Sequence, residues 1–242
     1  MAERNAKRAE VRGRARASRE SRLESLERAR LYFVCESRPG GADPRPLLEA
    51  AIRGGAGIVQ LRDKELGDDG LVAASADFRE AADEGGALFI LNDRPDLVAD
   101  CTADGVHLGQ DDVPVAEARR AAGPDALIGL STHSTDQVAA ACQAEDHARP
   151  DQISVGPVWE TPTKEGRPAT GLALLEFAAR EATLPWFAIG GIGPETVGEA
   201  AAAGAKRAVV VRAIRDAADP EAVASLLTEA LGGDRERGDA HG

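Results

Sequence analysis

From about residue 30 the chain alternates between two textures. Short apolar, β-branched runs are separated by longer Ala/Leu/Glu/Arg segments of helical period. The strand-like runs are RLYFVCE near 30–36, GIVQLRD near 57–63, ALFILND near 87–93 and GVHLG near 105–109. LIGLSTH near 127–133, QISVGPV near 152–158, WFAIGGI near 186–192 and RAVVVRAI near 207–214 complete the set. Helices are expected over 45–54, 68–84, 113–122, 134–145, 171–182, 194–203 and 219–231. Asp136 after STHST marks one start, Gly193-Pro194-Glu195 puts proline at the first position of another, and Gly54-Gly55, Gly85-Gly86 and Gly204 mark ends. Runs that are apolar throughout need cover on both faces, the pattern of a parallel sheet with helices outside it. Eight such βα units close into a (β/α)8 TIM barrel. An open doubly wound sheet is the competing arrangement, but no G-x-G-x-x-G follows the first run. The predicted fold is therefore an α/β TIM barrel, one domain over 30–232.

The flanks read differently. The first thirty residues hold ten Arg or Lys against five Glu and no apolar stretch. A secretory signal is thereby not expected, and the glutamates count against a transit peptide. Residues 1–29 are read as a charged extension, helical or disordered, and 233–242 as a disordered tail. A formal net charge of −12 over 242 residues argues against general nucleic-acid binding, because most of the surface would repel a phosphate backbone. No apolar run approaches the roughly 20 residues needed to span a bilayer. Cys35, Cys101 and Cys142 have no metal-type spacing and read as free thiols of a reducing, cytoplasmic compartment. Nothing here specifies an oligomeric state, which leaves room for a homo-oligomer.

In a TIM barrel the active site lies at the carboxyl ends of the strands. Seven of the eight runs end in polar residues or glycine. Run two ends with Gln60, Arg62 and Lys64, which share one face if the strand continues through them. Run three ends with Asn92 and Asp93, run four with His107, Gln110, Asp111 and Asp112, and run five with Ser131, Thr132 and His133. Run six leads into GPVWETPTKEG, run seven into Gly190-Gly191, and run eight into Val211-Arg212-Ala213.

Asp93 and Asp112 close adjacent strands, about 4.8 Å apart. Carboxylates that near repel unless a cation sits between them, and hard oxygen donors suit Mg²⁺ completed by substrate phosphate. The alternative for either one is to cap the next helix. Arg62, Lys64 and Lys164 would surround such a phosphate group, and together they favour a diphosphate. Gly190-Gly191 either makes a tight βα turn or lets backbone N–H groups approach a second, separate phosphate. The loop carrying Thr161, Thr163 and Lys164 reads as a lid over the diphosphate, against an ordinary surface loop.

QLRDK, LNDRPDL, GVHLGQDD, GLSTHS, GPVWETPTK and AIGGI, in that order, resemble the motifs of the thiamine-phosphate synthase family over about residues 57–214. The resemblance implies a Mg²⁺-dependent transferase with two small-molecule substrates. It would join 4-amino-2-methyl-5-hydroxymethylpyrimidine diphosphate to 4-methyl-5-hydroxyethylthiazole phosphate, giving thiamine phosphate and diphosphate. Asp93 and Asp112 would hold Mg²⁺. Arg62, Lys64, Asn92 and Lys164 would hold the diphosphate, with Ser131 donating to it, and Gln60 and His107 would line the pyrimidine site. Thr161 and Thr163 would hold the thiazole phosphate, with the Gly190 amide and the backbone at Val211-Arg212. Arg62, Lys64, Ser131 and Lys164 form the expected catalytic set. Arg212 departs from the family, which commonly has a small residue there. A related thiazole tautomerase lacks the diphosphate apparatus, so the intact set favours the synthase. A non-catalytic phosphate-binding barrel, acting on a partner through the basic N-terminal arm, is the reading from another class.

Overall fold

The computed structural model describes residues 18–160 and 168–232. Eight strands form its centre: β1 (Leu31–Cys35), β2 (Ala56–Leu61), β3 (Leu88–Asn92), β4 (Gly105–Leu108), β5 (Leu127–Thr132), β6 (Gln152–Val155), β7 (Trp186–Ile189) and β8 (Ala208–Val210). Each pairs in parallel with its sequence neighbours, and β8 returns to β1 to close the barrel. Helix α1 (Arg19–Arg28) precedes β1. The others are α2 (Arg45–Arg53), α3 (Asp68–Gly85), α4 (Val115–Ala122), α5 (Thr135–Gln143), α6 (Leu172–Glu181), α7 (Val197–Ala202), α8 (Arg212–Arg215) and α9 (Pro220–Leu231). Between β3 and β4 there is only a turn of 3-10 helix, Pro95–Leu97. No helix among the described residues is long and apolar enough to cross a membrane.

Strand alternation splits the apolar residues into two cores. Leu31, Phe33, Val59, Leu61, Phe89 and Leu91 point outward and pack with the helices. Tyr32, Val34, Ile58, Leu88, Ile90, Leu127, Phe187 and Val209 fill the interior. The same alternation turns Gln60, two positions beyond Ile58, into the interior near the carboxyl-end rim.

Helix α1 closes the opposite end. Leu23, Leu26 and Ala29 join the interior cluster, so part of the charged N-terminal stretch packs against the barrel. Arg22 is only 3% exposed: it donates to Asp125 O at 2.7 Å and lies 3.3 Å from the Asp104 carboxylate. Arg19 pairs with Asp151. The two aspartates also accept from backbone, Asp104 from Phe89 N at 2.9 Å and Asp151 from Ile128 N at 2.7 Å. The basic residues of this helix thus meet carboxylates that strand edges already hold in place.

Two local expectations are corrected. Strand β2 stops at Leu61, so Arg62 and Lys64 lie beyond the ladder, although Arg62 N still bonds Cys35 O at 3.0 Å. Asp63 turns the other way and accepts from Ser37 N and Oγ, which bends the segment off the sheet. Pro194 does not begin a helix. Gly193 O accepts from both Thr196 N and Val197 N, and Gly193 N donates to Thr196 Oγ1 at 2.9 Å, so a closed turn precedes α7.

Candidate active site

Two cavities open at the carboxyl-end rim and meet at Ser131, Ile189, Val209 and Val211. The larger, about 590 Å³, is lined by Gln60, Arg62, Lys64, Asn92, Asp93, His107 and Asp112, together with Tyr32, Gly109 and Asp111. The smaller, about 240 Å³, is lined by Gly190, Gly191, Arg212, His133, Ser154 and Pro157 among others. Every candidate residue within the described chain therefore lines one cavity or the other. The groups expected around a diphosphate and a metal share the larger, and Gly190 and Arg212 line the smaller. Thr161, Thr163 and Lys164 lie outside the described residues.

Asp93 follows β3 in a left-handed conformation, φ 62°, with its N–H bonded to His107 O at 2.9 Å. Aspartate tolerates that region better than most residues, and here it turns the carboxylate into the mouth of the barrel. Asp112 reaches the same place from the β4 loop, where its Oδ2 accepts from Gly109 N at 2.6 Å. The two carboxyl groups line the same cavity. Burial and then the Asp112 charge raise the Asp93 pKa to about 6, partly offset by Lys64 and Arg62. Among the described residues no group of three or more His, Cys, Asp or Glu could hold a metal ion. Two hard carboxylates that crowd each other suit a Mg²⁺ ion whose shell is completed by phosphate oxygens and water.

The floor of the larger cavity is polar and buried. Gln60 Nε2 donates to Tyr32 Oη at 2.5 Å, and the Tyr32 ring stands edge-on to His107 and Phe187. Burial pushes the Tyr32 phenol well above its ordinary pKa, so its oxygen stays protonated. His107 Nε2 lies 3.0 Å from Ser131 Oγ. Gln110 Nε2 donates to Ser131 O at 2.6 Å and ties the β4 loop to β5.

At the smaller cavity, Gly190 has φ 98°, and a Cβ there would sit 2.5 Å from Pro157 Cβ. The glycine is required by the close approach of the β6 loop, where Val158 N bonds Ile189 O at 2.9 Å and Trp159 N bonds Gly190 O at 3.2 Å. His133 Nδ1 donates to Gly156 O at 2.5 Å. Sequence reasoning gave no role to Tyr32, Gln152 or Ser154. Tyr32 lies in a run that reads as plain core, and the other two belong to QISV, a strand like any other.

The model of the thiamine monophosphate synthase family matches residues 31–214, from the first strand into α8. The chain is 48% identical over 207 residues to the thiamine-phosphate synthase of Thermobifida fusca, covering 85% of this chain and 94% of that one. It is 47% identical over 223 residues to the thiamine-phosphate synthase of Mycobacterium bovis, covering 88% and 97%. Among solved structures it resembles the thiamine phosphate pyrophosphorylase from Pyrococcus furiosus, with a TM-score of 0.74, 27% identity, and coverage of 85% and 96%. With motif order, barrel and relatives in agreement over most of its length, the chain belongs to the thiamine monophosphate synthase family.

Proposed function

We propose that this chain is a cytoplasmic, Mg²⁺-dependent thiamine-phosphate synthase. It joins the pyrimidine diphosphate to the thiazole phosphate and releases diphosphate. The observation that carries this reading is the pairing of cavities. One gathers Arg62, Lys64 and Asn92 around an aspartate pair; the other adjoins it through Ser131 and is walled by Gly190 and Arg212. A two-substrate transfer with one diphosphate and one monophosphate needs such a pair of adjoining sites.

Asp93 and Asp112 would hold Mg²⁺, which when bound offsets charge on the diphosphate. Arg62 would present its guanidinium fork to the phosphate oxygens, and Lys64 and Asn92 would add donors. Ser131 would donate from the side facing the second cavity. These groups favour heterolysis of the C–O bond: the bonding pair leaves with diphosphate, and the pyrimidinylmethyl carbon is left as a cation. Gln60, held by Tyr32, and His107 would orient the pyrimidine ring. The thiazole nitrogen then gives its lone pair to that carbon, with the thiazole phosphate held by Gly190 and the backbone at Val211-Arg212. That nitrogen carries no proton, so no general base is required. Catalysis is positioning plus stabilisation of the departing charge. Thr161, Thr163 and Lys164 complete the proposed set, the lysine at the diphosphate and the threonines at the thiazole phosphate. The three free thiols fit a reducing compartment.

The test is diphosphate release by purified protein. It should require Mg²⁺ and both heterocycles and yield one thiamine phosphate per diphosphate. Isomerisation of a thiazole carboxylate phosphate without diphosphate release would overturn the reading in favour of a tautomerase.

A further inference from the structure

Three strands in register bring His107 of β4, Gly129 of β5 and Gln152 of β6 side by side below the larger cavity. Gly129 separates the other two and has no side chain to fill the gap. A Cβ there would lie 2.0 Å from Gln152 Nε2 and 2.6 Å from His107 Nδ1. Across that gap Gln152 Nε2 approaches His107 Nδ1 at 3.1 Å. The other ring nitrogen, Nε2, faces Ser131 Oγ at 3.0 Å. Gln152 and Ser131 are 4% and 3% exposed, so these contacts are largely buried.

The direction of the chain of hydrogen bonds follows from what each atom can do. An amide nitrogen donates and cannot accept. His107 Nδ1 must then accept, and the ring's single proton sits on Nε2, from which it is donated to Ser131 Oγ. Ser131 therefore accepts from beneath. Ser154 Oγ stands 3.5 Å from both Ser131 Oγ and His107 Nε2, at the limit of hydrogen bonding. The remaining direction for the Ser131 proton is upward, where the two cavities join.

We infer that Gln152 is a positioning residue. It selects the Nε2–H tautomer of His107 and so turns the Ser131 hydroxyl into a donor to the departing diphosphate. Its action on turnover rests on the function proposed above; the tautomer itself does not. With the amide turned over, Oε1 would accept from Nδ1–H, His107 Nε2 would accept from Ser131, and the serine could no longer donate upward. The two arrangements make opposite predictions.

The first measurement is the ring ¹⁵N–¹H correlation spectrum of His107 in the uniformly labelled full chain, assigned by its loss in His107→Asn. A protonated Nε2 with a bare Nδ1 is expected; a proton on Nδ1 overturns the proposal whatever the enzyme catalyses. The second is steady-state diphosphate release. Gln152→Leu should lower kcat about tenfold, the effect of one misdirected hydrogen bond, and leave both KM values within about twofold. Added to Ser131→Ala it should cost nothing further, because both changes remove the same donor. Losses that multiply, or that fall on KM alone, overturn it. If Gln152→Leu does not fold, Gln152→Met supplies the same comparison and the wild-type spectrum still decides. A wild-type protein with the expected spectrum but no diphosphate release would overturn the proposed function and not the tautomer.

Discussion

Asp93 and Asp112 line the same cavity at the rim, and Asp93 gets there from a left-handed backbone with φ 62°. One residue carries both the strained backbone and the strained ionisation, with a pKa of about 6. Strain of this kind persists where the surroundings over-determine it, and an aspartate pair proposed to share a divalent cation is such a place.

In the metal-free protein Asp93 should make stability fall as pH rises. Its folded pKa of about 6 lies above the ordinary 3.8, so the folded state holds the proton more tightly than the unfolded chain. The contribution is full below about pH 4 and is lost as pH passes about 6, on the order of 1 kcal/mol after allowance for partial exposure. Asp93→Asn should flatten that part of the Tm–pH profile measured in chelator, and Asn also tolerates φ > 0. Mg²⁺ is expected to raise the wild-type Tm near neutral pH, and the same variant should lose most of that increase.

Arg62→Ala should reduce diphosphate release about 10²–10³-fold at saturating substrates, the usual cost of one pre-organised donor to developing charge. Arg62→Lys should recover only part, since a point charge does not replace a two-pronged fork. Thermal unfolding should barely change in either, because the side chain lines the cavity and is not in the core.

Gly190→Ala should destabilise by about 2 kcal/mol or more, read from urea unfolding. Its backbone has φ 98° and the added methyl would meet Pro157 at 2.5 Å. Binding of the thiazole phosphate should weaken as well, because the β6 and β7 loops that wall the smaller cavity must separate.

Leu26→Ala, at the sealed end of the barrel, should cost about 2–4 kcal/mol, and Arg22→Ala about 3 kcal/mol through loss of a buried ion-pair partner. Turnover of the folded fraction below Tm should stay near wild type, since neither residue lines either cavity at the rim. A variant that unfolds normally but turns over slowly would contradict this separation of roles.

Strand order and helix order were legible because hydrophobic period is a local property, and eight βα units leave few ways to cover every strand. Gln60, Arg62, Asn92 and His107 were legible because polar residues at the ends of apolar runs conflict with their local pattern. Gln152 and Gly129 were not, since an amide at a strand start and a glycine within one are unremarkable until register sets them beside His107. The packing of α1 was hidden for a related reason. Arg19 and Arg22 read as solvated cations, and only the folded chain brings Asp104 and Asp151 to them. The late start of α7 reflects the Thr196 hydroxyl, which closes a turn where Pro194 alone suggested a helix.

Helix α1 stops the barrel from below as a cork stops a flask. Side chains fill the interior above it, and among the described residues both cavities face the opposite, carboxyl-end rim. Reagents and products of the proposed reaction would share that rim, so a lingering product would hold the berth of the next arrival. Inhibition by accumulated product, competitive with the reagent whose berth it occupies, is the kinetic signature expected of sites confined to one rim.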